Sequence, residues 1–92
     1  MNINGLIKSV EAEQKVSDKF TKREFILEVD HKTKYPQTIS MELVNDKCDI
    51  IDEHKVGDEV NVAFNLRGRA VTTKDGKTKN YNTIQAWKID KI

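Results

Sequence analysis

The chain has 92 residues, 37% hydrophobic and 34% charged, with 16 Lys/Arg against 15 Asp/Glu and a net charge of +1. Such a length suits one compact core, expected as one domain over residues 1–92, that buries roughly 60–65% of the unfolded surface. No apolar run approaches the ~20 residues of a membrane-spanning helix. A single cysteine, Cys48, excludes an internal disulfide, and Met1-Asn2-Ile3-Asn4-Gly5 lack the basic and apolar blocks of a signal peptide, so the expected location is a reducing cytoplasm.

In chain order, the first strand is expected over residues 3–13, with Gly5 marking a bulge or sharp bend. A loop over about 14–23 follows, carrying Lys15, Lys19, Lys22 and Arg23 against Asp18 alone. Phe25, Leu27 and Val29 alternate with Glu24, Glu28 and Asp30, which places a half-buried second strand over 21–31. Lys34-Tyr35-Pro36 suits a turn or strand start. Ile39, Met41 and Leu43 alternate with Thr38, Ser40 and Glu42 in a third strand over 37–44.

Alternation then stops, and Asn45 to Lys55 reads as a short helix. Asn45 or Asp46 would cap it, Asp46 and Asp49 suit its first turn, and His54 and Lys55 its last. Cys48 and Ile51, three apart, share a face able to plug an apolar opening, and Gly57 supplies the stop. Val60, Val62, Phe64 and Leu66 alternate with Asn61, Asn65 and Arg67 in a fourth strand over 57–69. A second basic loop over about 72–80 holds Lys74, Lys77 and Lys79 against Asp75, and Asp75-Gly76 is hairpin-turn chemistry. The fifth strand covers 81–91. Its inward register is open: with Ile84 and Ala86 inward, Trp87 faces out beside Thr83 and Gln85, whereas with Ile89 inward it becomes a core ring.

Three strands, a short helix and two strands is the order of an all-β, five-stranded Greek-key barrel of the OB type, with its helix between strands 3 and 4. An SH3-like barrel lacks a helix at that point. In OB barrels the strand 1–2 and 4–5 loops flank the ligand groove, and here both are basic. Residues 1–66 balance to −4 and residues 67–92 to +5, so the charge is segregated.

Lys15, Lys19, Lys22, Arg23, Lys74, Lys77 and Lys79 are therefore candidate phosphate contacts. Arg67 and Arg69 point outward by parity and suit phosphate clamping, unless they pair with first-strand acids such as Glu11 or Glu13. Phe20, Tyr81 and Trp87 are candidate stacking platforms, while Phe25 and Phe64 lie on core parity. Glu24, Glu28, Asp30 and Glu42 make an acidic outer face on the second and third strands, which would repel a phosphate backbone. His31 and His54 with one cysteine show no zinc spacing, and Asp46, Asp49, Asp52 and Glu53 read as a solvated helix face. No glycine-rich phosphate turn or serine elbow is present, so no cofactor, metal or enzymatic activity is expected.

Asn65-Leu66-Arg67-Gly68-Arg69, Asp75-Gly76-Lys77 and Asn82-Thr83-Ile84-Gln85-Ala86-Trp87-Lys88-Ile89 resemble a family of short bacterial and bacteriophage proteins. Tyr35-Pro36-Gln37, Glu42-Leu43 with Asn45-Asp46-Lys47, and Val56-Gly57-Asp58 match it as well. The family is a domain of unknown function regarded as OB-fold and similar to single-stranded-DNA-binding proteins. Members often carry aromatics where this chain has Val44 and Val71, and an aromatic pair at Asn80-Tyr81, so this chain has fewer stacking platforms. The resemblance implies a non-catalytic binder of single-stranded DNA with low sequence specificity, and an OB barrel of this size is expected to self-associate as a homo-dimer or homo-tetramer. RNA is not distinguished from DNA by these residues. The alternative is a protein-interaction module that uses the acidic face of strands 2 and 3.

Overall fold

The structure, a computed structural model, describes residues 1–92. Six strands and one 3₁₀ helix follow in order: β1 (Asn2–Val10), β2 (Gln14–Ser17), β3 (Phe20–Val29), β4 (Gln37–Val44), the helix (Asn45–Glu53), β5 (Glu59–Thr72) and β6 (Thr78–Lys91). They form one sheet in the order β1-β5-β6-β4-β3-β2, and β1 also pairs with β3. That extra pairing closes β1, β5, β6, β4 and β3 into a ring of five, leaving β2 as a flap on β3. All pairings are antiparallel except β4 with β6, joined in parallel at Glu42 and Gln85. With the helix between the third and fourth strands of the ring, this is the OB barrel expected from the sequence.

Alternation built the ring's interior. Phe25, Leu27, Met41, Leu43, Val60 and Val62 all lie within its buried cluster, and Phe64 packs against it. Burying each such large side chain is worth about 1.5–3 kcal/mol. Cys48 and Ile51 close one opening from the helix, both buried. At three residues per turn a 3₁₀ helix eclipses positions i and i+3, so the plug expected from their spacing forms without an α-helix.

Several local expectations are corrected. Gly5 is not a bulge: the register shift in β1 falls between Ile7 and Ser9. A Cβ on Gly5 would instead lie 2.6 Å from the Glu28 carbonyl oxygen and 2.7 Å from Leu27 Cγ, so at Gly5 β1 lies too close to β3 to leave room for a side chain. Neither Asn45 nor Asp46 caps the helix, whose N-cap is Val44 with no side-chain bond. Asn45 takes a left-handed φ of 51°, and its side-chain oxygen accepts the Thr21 amide at 3.1 Å, tying the helix start to β3. The first strand stops at Val10, and the whole of the expected 14–23 loop is a β2–β3 hairpin turning at Asp18-Lys19.

Neither of the two expected registers of the fifth strand holds along its whole length. A bulge in β6 lets Ala63 face Lys88 and Phe64 face Ala86, skipping Trp87. Ala86 and Ile89 are thereby both buried, three apart, and Trp87 is 44% exposed. It is not a core ring.

Candidate nucleic-acid interface

Strands β5 and β6 are each 14 residues long and pair without further interruption from Phe64 and Ala86 to Thr72 and Thr78. Only the first half of that ladder belongs to the barrel. β4 touches β6 at one bridge, Gln85, so residues 66–72 and 78–84 run on as a two-stranded ribbon. At about 3.4 Å per residue the free ribbon projects roughly 25 Å. The expected 72–80 loop shrinks to the turn Thr73–Lys77. There the Thr73 hydroxyl donates to Asp75 and also meets the Lys77 carbonyl at 3.1 Å. That hydroxyl, then the Lys77 and Asp75 amides, hold the Asp75 carboxyl below its ordinary value.

Cross-strand register sorts the ribbon into two faces, because directly opposed residues share a side. One face pairs Leu66 with Ile84, Gly68 with Asn82, Ala70 with Asn80 and Thr72 with Thr78, and it carries no charge. The other pairs Asn65 with Gln85, Arg67 with Thr83, Arg69 with Tyr81 and Val71 with Lys79. Two arginines, a lysine and a 54%-exposed tyrosine thus share a surface, with Lys74 and Lys77 at its tip. Arg67 Nε donates to the Gln85 side-chain oxygen at 3.0 Å, which splays its guanidinium along the ribbon. Neither arginine joins an ion pair, so the pairing with Glu11 or Glu13 does not occur.

The other candidates lie elsewhere. β1 is antiparallel to both β3 and β5, so the start of β3 and the end of β5 point to opposite ends of the barrel. Lys15 on β2 and Lys19 in the hairpin turn are exposed at the end away from the ribbon tip, with Phe20 half-buried behind them. Lys22 lies 3.9 Å from Glu24. Arg23 is withdrawn from solvent: Nε donates to the Glu11 carbonyl at 2.9 Å, and Nη1 to the Cys48 carbonyl at 3.3 Å and to Asp52 Oδ1 at 2.8 Å. Its fork joins the β1–β2 link, β3 and the helix, and few donors remain for a phosphate.

Sequence reasoning passed over the β3–β4 turn. Tyr35 is 71% exposed, and Lys34 Nζ sits 5.9 Å from its ring centroid. Since β4 and β6 run in parallel, this turn projects toward the same end as the ribbon tip. An exposed tyrosine between Lys34 and Pro36 was the signal available. His31 lies 3.9 Å from Glu59, and His54 Nε2 3.3 Å from the Ile89 carbonyl. No group of three or more His, Cys, Asp or Glu side chains is gathered to hold a metal. No helix is long and apolar enough to cross a membrane.

The family model described as "Domain of unknown function (DUF3127)" matches residues 2–90. No curated protein matches the chain. Among solved structures, the mitochondrial single-stranded DNA binding protein Rim1 of S. cerevisiae superposes with a TM-score of 0.73 at 16% identity, over 100% of this chain and 92% of that one. A small single-stranded DNA-binding protein from Streptomyces coelicolor gives 0.66 at 16% identity, again over 100% and 92%. The Plasmodium falciparum SSB in complex with ssDNA gives 0.57 at 18% identity, over 92% and 82%. These likenesses establish the shared OB fold.

Proposed function

We propose that this chain, which belongs to the DUF3127 family, is a non-catalytic protein that binds single-stranded DNA along its β5–β6 ribbon. The observation that carries the reading is the register placing Arg67, Arg69, Lys79 and Tyr81 on one exposed face, free of ion pairs. Arg69 and Tyr81 are directly opposed, so a base stacked on the tyrosine ring has its phosphate within reach of a guanidinium. Lys74, Lys77 and Lys79 extend the cationic track to the tip. Stacking on an aromatic face tolerates every base, so sequence preference is low. Trp87, exposed near the ribbon's base, is a second platform. The solved neighbours described as single-stranded-DNA-binding proteins support the choice of ligand.

Arg67 and Arg69 stand on a paired strand and lose little freedom on engaging a phosphate, whereas the tip lysines are long and exposed. Titration of a labelled oligothymidine at low salt tests this. Replacing both arginines by alanine is expected to weaken binding about tenfold, ~1.4 kcal/mol, more than replacing any two of Lys74, Lys77 and Lys79. The thermal midpoint should stay within a degree or two. A double variant that binds normally yet loses stability would make the arginines structural and overturn the assignment.

A further inference from the structure

The outer face of β3 and β4 is acidic and unpartnered. Glu24 and Glu42 are directly opposed in the β3–β4 register, a like-charge cross-strand pair that costs stability. Only Lys22 comes near, 3.9 Å from Glu24, and Glu42 joins no ion pair. Two cavities share Glu24. One, of about 360 Å³, is lined by Glu11, Ala12, Glu13, Gln14, Lys22 and Glu24. The other, of about 260 Å³, includes Glu24, Ser40 and Glu42 and ends against Asn82 and Ile84 at the ribbon's root. The remaining basic groups nearby are committed: Arg23 to Asp52 and Lys8 to Glu28.

The same chain carries the complement. Lys74, Lys77 and Lys79 surround the ribbon tip against the single acid Asp75, roughly 25 Å from the barrel. The tip points away from the Glu11–Glu13 end of the barrel, so it cannot fold back into its own cavity there. We propose that the ribbon tip of one molecule, through Lys74, Lys77 and Lys79, docks on the acidic Glu11, Glu13, Glu24 and Glu42 face of a second copy. The two patches are different surfaces of the chain, so the contact is heterologous and joins molecules head to tail. Docking places cations beside Glu24 and Glu42 and relieves their repulsion. Exposed charges at this density associate at low salt and separate within a Debye length of about 3 Å at 1 M.

Sedimentation velocity on the full chain without DNA tests the inference, so its failure is separate from failure of DNA binding. Wild type should show mass rising with concentration at low salt and revert to monomer near 1 M salt. Lys74→Glu/Lys77→Glu/Lys79→Glu and Glu11→Lys/Glu13→Lys/Glu42→Lys should each self-associate at least tenfold more weakly. Mixed together, the two variants should associate again, because each then supplies the patch the other has reversed. Circular dichroism checks that both fold, and the single pair Lys77→Glu with Glu42→Lys repeats the test should a triple variant unfold. A wild type that is monomeric at low salt, association that survives both reversals, or a mixture that stays monomeric would each overturn it.

Discussion

Arg23 shows how one side chain changes role with its surroundings. By composition it is one of four cations in a basic segment, and electrostatics alone gives it the same task as Lys15 or Lys19. Its neighbours decide otherwise. Two carbonyls and the Asp52 carboxylate take up its fork, with the side chain mostly buried. A charge-assisted pair in such a setting stabilises through the acceptors it satisfies, while Asp52 itself remains largely hydrated. Arg23→Ala is therefore expected to destabilise the fold by about 1–2 kcal/mol, read as a lower urea midpoint at unchanged slope. Oligothymidine affinity should stay within twofold. A variant of unchanged stability and weakened binding would return Arg23 to the phosphate contacts. Arg67 and Arg69 present the opposite case, with one neutral acceptor between them and open solvent beyond.

At the scale of elements, legibility followed burial. β4 lies over 37–44 as its alternation implies, because every second residue there packs into the ring. β2 was invisible, since Gln14–Ser17 are all exposed and four residues give no period. The ribbon was underestimated for the same reason. Beyond Phe64 the β5 pattern loses its core, Leu66 is 62% exposed, and cross-strand hydrogen bonds alone continue the ladder. The β6 bulge hid Trp87, because strict period two cannot bury both Ala86 and Ile89. Gly5 reads from sequence only as a glycine in a strand, and its reason lies on a strand some twenty residues away. Gly5→Ala would drive a Cβ into the Glu28 carbonyl and Leu27, and backbone is the less able to yield. We expect a loss of about 1–3 kcal/mol by denaturant unfolding, together with faster amide exchange in β1. A neutral result would mean that β1 and β3 can separate without cost, contrary to a tightly closed ring.

Across the whole molecule, the near-zero net charge conceals a dipolar arrangement. The cationic ribbon extends one end of an object measuring 46 × 35 × 21 Å, and the Glu24–Glu42 face lies on the barrel wall beside its root. A polyanion should therefore follow the ribbon's Arg67–Arg69–Tyr81 face and avoid that wall. The β2–β3 hairpin, with Lys15 and Lys19, is at the other end and is reached only by a longer strand. Backbone amide chemical shifts measured while a short oligothymidine is added report this path residue by residue. The ribbon reading predicts the largest changes at 67–71 and 77–82, smaller ones around Trp87, and almost none over the 45–53 helix. Shifts concentrated on the helix and the β2–β3 hairpin, with the ribbon silent, would contradict it.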